Sequence, residues 1–185
     1  MKFKPSPKNG GVLVELSPQE SQLPGGQPFA EFHIKKILVP VDFSNCSKKA
    51  LMYAIPFAKQ FDATIMVVHI AAYCVQPSEM VVADAQLLEA NLSTLNNLVR
   101  EISGTAQVEA RVRVGNPASE IVELARESQT DLIIISTHGK SGLMHVFMGS
   151  TAERVVRHAP CPVLVVRERE HEFISGRPDS FNPAI

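Results

Sequence analysis

The sequence predicts an α/β protein, a single doubly wound domain whose parallel sheet is covered by helices on both faces. Three observations predict it. Strand and helix patterns alternate strictly, five of the first with four of the second, as a parallel sheet requires. The runs Ile37-Leu38-Val39-Pro40-Val41 and Asp131 to Ile135 are almost continuously apolar, the mark of strands buried on both faces. The helical stretches between strands are long enough for right-handed crossovers.

Residues 1–32 contain Pro5, Pro7, Pro18, Pro24 and Pro28 and the pairs Gly10-Gly11 and Gly25-Gly26. They show no sustained period and read as a flexible arm, within which Val12-Leu13-Val14 allows a short strand over Gly11 to Leu16. The domain spans 33–168 and opens with a strand from Lys36 to Asp42. A helix from Ser44 to Phe61 follows, with Ala50, Leu51, Ala54, Phe57, Ala58 and Phe61 spaced by three and four. Pro56 lies inside it and costs about 3 kcal/mol in a regular helix interior, so a kink or local break is expected there.

Strand Ala63 to Ile70 comes next, then a loop around Gln76-Pro77-Ser78 and a long helix from Glu79 to Ser103. Leu88, Leu92, Leu95, Val99 and Ile102 share one face of that helix, which is expected to pack on the sheet, and Gly104 stops it. Strand Gln107 to Val114 alternates Val108, Ala110, Val112 and Val114 with polar residues, which places it near an edge. Asn116-Pro117 starts a helix with an N-cap residue and a proline in the first turn, and Ile121, Leu124 and Ala125 form its apolar stripe. Strand Asp131 to Ile135, helix Thr151 to His158 and strand Val163 to Arg167 complete the domain. The tail, 169–185, carries Gly176, Pro178 and Pro183 and is expected to fray.

A chain of 185 residues, 45% hydrophobic, supplies one ordinary core. Its 18 basic and 19 acidic residues leave a net charge of -1, with no electrostatic footprint for nucleic acid. Three widely spaced cysteines, Cys46, Cys74 and Cys161, suggest neither a disulfide framework nor a zinc site and fit a reducing cytoplasm. No apolar segment follows Lys2, Lys4 and Lys8 as a secretion signal requires, and Ala63 to Val75 is far short of a bilayer span, so no membrane association is expected.

The stretch most charged with function runs from Ile135 to Thr151. It joins the carboxyl end of a strand to the start of a helix, where ligands bind in open α/β sheets. Gly139 and Gly149 are suited to unusual backbone angles and close approach of a ligand, and Ser150 and Thr151 open a helix whose N–H groups suit a phosphate. Gly139-Lys140-Ser141 is not a P-loop, because Ile134 stands where the first glycine belongs, and Thr137 breaks the dinucleotide fingerprint.

Asp42 has two readings: a cap for the first helix, or a carboxylate at the sheet edge accepting bonds from a sugar hydroxyl or base. Ser150 and Glu153 form an S-x-x-E capping box compatible with phosphate binding. His69, His138 and His145 lack metal-motif spacing. His69 reads as a hydrogen-bonded residue at a strand end, and His138 either contacts a phosphate or is solvated. Ser141 has no nucleophile elbow, and no catalytic constellation or metal cluster is evident. Arg154 and Arg157 read as a solvated face more readily than as a phosphate clamp.

From Lys35 to Arg167 these residues resemble the universal stress protein family. The likeness is carried by Lys36-Ile37-Leu38-Val39-Pro40-Val41-Asp42-Phe43-Ser44, by Gly115-Asn116-Pro117 with Glu120-Ile121, and by Thr137-His138-Gly139 through Gly149-Ser150 to Pro160-Cys161-Pro162-Val163-Leu164-Val165-Val166. The resemblance implies a five-stranded sheet in the order 3-2-1-4-5, its switch point between the first and fourth strands, and a homodimer through the last strand, Val163 to Arg167. In the nucleotide-binding branch the pattern is glycine, two residues, glycine, nine residues, glycine, then serine or threonine. Gly139, Lys140 to Met148, Gly149 and Ser150 match it, whereas Ser136 replaces the first glycine.

By that resemblance, adenine and ribose fall to Pro40, Val41, Asp42 and Ile70, and the phosphates to Ser136, His138, Gly139, Gly149, Ser150 and Thr151. The expected protein is a cytoplasmic, dimeric, ATP-binding regulatory or stress-protective factor, with Mg2+ bound through the phosphates and at most slow ATP hydrolysis. The alternative is a nucleotide-independent homodimeric module of the same fold, with Ser136 marking a lost pocket.

Overall fold

The computed structural model describes residues 2–5, 12–15, 33–71, 85–102, 104, 106–137 and 149–167. Two compact units, Met1–Phe32 and His33–Ile185, are each taken by themselves. In the first, strands β1 (Lys2–Pro5) and β2 (Val12–Glu15) pair antiparallel, with Lys2 opposite Glu15 and Pro5 opposite Val12. The strand allowed by Val12-Leu13-Val14 is therefore present. Its partner, Lys2-Phe3-Lys4-Pro5, is not apparent from so short a polar run.

The second unit alternates β3 (Lys36–Pro40), α1 (Asn45–Phe61), β4 (Thr64–Ala71), α2 (Ala85–Ile102), β5 (Gln107–Val114), α3 (Pro117–Glu127), β6 (Leu132–Ser136), α4 (Ser150–His158) and β7 (Val163–Val166). The sheet is parallel, in the order β5-β4-β3-β6-β7. Counted from β3 this is 3-2-1-4-5, with β5 on an edge and the switch point between β3 and β6, as expected.

Both faces of the central strands are covered, which explains their continuous apolar runs. Ile37, Val39, Ile65, Val67, Leu132 and Ile134 face the layer that holds Leu51 and Tyr53 of α1 and Leu95 and Leu98 of α2. The alternate residues Leu38, Val68, Ile133 and Ile135 face Ile121 and Leu124 of α3 and Val155 of α4. Successive side chains on a strand point to opposite faces, so each face receives a full apolar set. At the amino edge Asp131 Oδ2 accepts the Lys35 and Lys36 N–H groups at 2.8 and 2.9 Å, while the Asp131 N–H donates to the Lys36 carbonyl at 3.0 Å. This latch sets β3 beside β6, with Ile37 opposite Leu132.

Two expectations are corrected. Helix α1 is continuous through Pro56, so of the expected kink or local break the break is absent. Tyr53, Ala54 and Ala58, buried on either side of the proline, hold the helix against the sheet despite the lost donor. In α2 the buried face is Leu95, Leu98 and Ile102, with Val99 packed beside them, whereas Leu92 is 42% exposed. At 3.6 residues per turn Leu92 and Leu98 lie about 120° apart, on opposite sides of Leu95, and the sheet covers the Leu98 side. Residues 79–84 of the expected helix, and the loop around Gln76-Pro77-Ser78, lie outside the described residues.

Candidate functional site

The ladder between β3 and β6 covers Ile37–Leu132 and Leu38–Ile133, whereas that between β3 and β4 continues to Pro40–Val68. Pro40 has no N–H to donate, and the Val41 N–H crosses instead to the Val68 carbonyl at 2.8 Å. The carboxyl edge is therefore stepped. β4 runs past Pro40–Val68 through His69 and Ile70 to Ala71, and Ile70 is half-buried there. Pro40, Val41, Asp42, Ile70 and Ser136 are thus brought to one edge, around the switch point.

Asp42 does not cap the first helix. The N-cap of α1 is Ser44, whose side chain accepts the Ser47 N–H at 3.2 Å. Asp42 braces that cap: its Oδ1 accepts the Ser44 N–H at 3.1 Å and the Ser44 hydroxyl at 2.6 Å. Between them Phe43 has a φ of +65°, in the left-handed region that aromatic residues seldom enter. No local signal in the sequence marks this turn. His69 is a hydrogen-bonded residue at a strand end, as expected: its Nδ1 lies 2.8 Å from the Val41 carbonyl.

On the other side of the switch point, the Thr137 N–H donates to the Val166 carbonyl at 2.9 Å and the Gly149 N–H to the Thr137 carbonyl at 2.7 Å. The two ends of segment 138–148 are thereby tied together at the edge. That segment, with His138, Gly139, Ser141 and His145, lies outside the described residues. Ser136 is half-buried in β6 and paired with Val166. It is not among the described residues with positive φ, so a glycine is not required there for backbone freedom.

Gly149 has a φ of -57° and ψ of 149°, angles open to any residue. Its need is steric. A Cβ at this position would lie 2.8 Å from the Thr137 carbonyl oxygen. The expectation of unusual backbone angles at Gly149 is thus replaced by one of close approach, here by the protein's own main chain.

The capping box is also corrected. Gly149 is the N-cap of α4, with no side-chain cap bond, and Ser150 is already helical. The Glu153 N–H donates to the Gly149 carbonyl at 3.0 Å, and the Glu153 carboxylate pairs with Arg157 at 2.8 Å on an exposed face. α1 and α3 start at the same edge with their first turns capped by Ser44 and by Asn116, whose Oδ1 accepts the Ser119 N–H. At α4 the N-cap Gly149 has no side chain to take that role, and among the described residues none replaces it; Ser150 and Thr151 lead the helix at the surface. Such a start, with the positive end of the helix dipole, accommodates an anion.

The opposite edge carries a different chemistry. Burial pushes the Cys161 thiol up from its ordinary value, the Asp131 charge adds to that, and a backbone hydrogen bond involving Ile133 opposes it. Among the described residues no three of His, Cys, Asp and Glu gather as a metal site, and no described helix is long and apolar enough to cross a membrane.

Comparison with known proteins bears on this edge. The profile of the universal stress protein family matches residues 33–167. A universal stress protein of Methanocaldococcus jannaschii is 36% identical over 151 residues, covering 75% of this chain and 85% of its own. The universal stress protein UspA of Lactobacillus plantarum superimposes with a TM-score of 0.63 at 26% identity, over 74% of this chain and 100% of its own. That of Archaeoglobus fulgidus, solved in complex with dAMP, does so with a TM-score of 0.56 at 26% identity, over 73% of this chain and 99% of its own.

Proposed function

The chain belongs to the universal stress protein family, and from that premise we propose that it binds an adenine nucleotide, ATP with Mg2+ on its phosphates, and acts as a dimeric regulatory or stress-protective factor. The observation that carries the reading is the start of α4. Gly149 is wedged against the Thr137 carbonyl and, among the described residues, leaves the helix without a side-chain cap, at the same edge as the Asp42 turn. A phosphate would accept the N–H groups there, and a relative of this fold has been solved with dAMP.

In this reading Pro40, Val41, Asp42 and Ile70 hold adenine and ribose. Ser136, His138, Gly139, Gly149, Ser150 and Thr151 receive the phosphates. Nucleotide occupancy then shifts the population of conformations or partners rather than driving a rapid reaction. The free thiols of Cys46 and Cys161 suit a cytoplasmic setting. The dimer reading draws on β7, an edge strand whose Val163, Leu164 and Val165 are only half-buried and whose outer side pairs with no other described strand.

The test is calorimetric titration of nucleotide-stripped protein with ATP and Mg2+, after chromatography of any nucleotide that copurifies. Saturable binding at micromolar or tighter affinity that Asp42→Ala or Gly149→Val abolishes is the expected result. A folded dimer that binds nothing at millimolar ATP refutes the nucleotide reading and favours the nucleotide-independent module, for which Ser136 in place of the motif glycine is the specific observation. A monomer at micromolar concentration in sedimentation refutes the dimer.

A further inference from the structure

We propose that His69 is a positioning residue for the nucleotide edge, locking the Val41–Phe43 turn into the shape that presents Asp42. The functional part of this inference rests on the nucleotide reading above. His69 sits in β4, one residue before Ile70, and reaches sideways to the end of β3, where its Nδ1 lies 2.8 Å from the Val41 carbonyl oxygen. A carbonyl can only accept, so Nδ1 carries the proton. The face of the same ring supports Phe43, with centroids 4.4 Å apart and planes inclined at 32°, within the range of favourable aromatic contact.

One side chain therefore holds both residues that flank Asp42. Phe43 needs holding, because its φ of +65° is disfavoured for a residue with a Cβ and persists only where the surroundings over-determine it. From the helix side the Asp42 N–H donates to the Ser47 hydroxyl at 3.3 Å, and the Asp42 carboxylate accepts from Ser44. From the sheet side His69 acts beside the bond from the Val41 N–H to the Val68 carbonyl at 2.8 Å. It ties the turn to the central layer, so that the Asp42 carboxylate is aimed before any ligand arrives.

The variants His69→Leu, which removes both donor and ring, and His69→Asn, whose amide N–H can replace Nδ1–H without the ring, separate the hydrogen bond from the ring contact with Phe43. If the turn keeps its shape only a tenth of the time without His69, the apparent affinity for ATP falls about tenfold, because affinity scales with the competent fraction. Titration with ATP is expected to show that loss in His69→Leu and recovery to within about threefold of the wild type in His69→Asn. Hydrogen exchange reads the turn without ligand. The Asp42 and Ser44 amides are expected to exchange at least about tenfold faster in His69→Leu, while the Ile133 amide, bonded to the Pro162 carbonyl, keeps its protection.

Phe43→Ala tests the same lock from the other ring and serves if His69→Leu does not fold. Unchanged affinity and exchange in the folded His69→Leu protein overturns the proposal, and a His69→Asn protein as impaired as His69→Leu overturns the part assigned to the Nδ1–H bond. If the wild type binds no nucleotide, the nucleotide reading fails by itself and the exchange rates alone decide the role of His69.

Discussion

Replacing Gly149 with alanine sets two effects of opposite sign against each other. The backbone angles at Gly149 are ordinary, so alanine restricts the unfolded chain and by itself stabilises by about 0.4–1 kcal/mol. Against this, its Cβ falls 2.8 Å from the Thr137 carbonyl oxygen, a main-chain atom bonded to the Gly149 N–H at 2.7 Å. Relieving that contact means lengthening this hydrogen bond and shifting the start of α4, and overpacking of this kind costs about 1–3 kcal/mol. At mid-range values, about 2 against about 0.7 kcal/mol, the balance is a destabilisation of about 1 kcal/mol. For a domain of this size it lowers Tm by about 3–5 °C.

Thermal unfolding of nucleotide-free protein, followed by circular dichroism, measures it, with Ser150→Ala as a control on the exposed first residue of the helix. An equal or higher Tm for Gly149→Ala would refute the reasoning. The glycine would then be there for a ligand's approach and not for Thr137.

Asp131→Ala removes the acceptor shared by the Lys35 and Lys36 N–H groups and is expected to cost about 2 kcal/mol, seen as a lower urea midpoint with an unchanged m-value. Asn116→Ala removes the cap of α3 and is expected to cost about 1 kcal/mol in the same assay. The raised pKa of Cys161 means that the fold favours the neutral thiol. The resulting stability is present below the ordinary value of 9.0 and is lost as pH rises through the higher folded value. Mass-mapped alkylation of Cys161 at pH 7 should accordingly be slower in the native than in the unfolded protein, and equal rates would contradict the shift.

The sheet is legible in the sequence because both of its faces are buried. Ile37, Leu38 and Val39 point alternately to different helical layers, yet all three must be apolar, and the run announces itself. The cap of α3 is equally plain, since Asn116-Pro117 acts through its own backbone. What escapes is set by contacts distant in sequence. Nothing near Phe43 signals a left-handed turn, whose support comes from His69 in the next strand. Gly149 looks like a conformational glycine until Thr137 is seen beside it. Leu92 and Leu98 exchange places because only the sheet decides where around the helix contact begins.

The bonds Thr137–Val166 and Gly149–Thr137 bring residues 137 and 149, the two ends of an intervening stretch of chain, together at the sheet. The entropy of bringing its ends together is met by the scaffold, whatever lies between them. Closure depends only logarithmically on length, about 0.6 kcal/mol for each doubling. A change in the number of residues between 137 and 149 is therefore expected to leave β6, α4 and β7 in register.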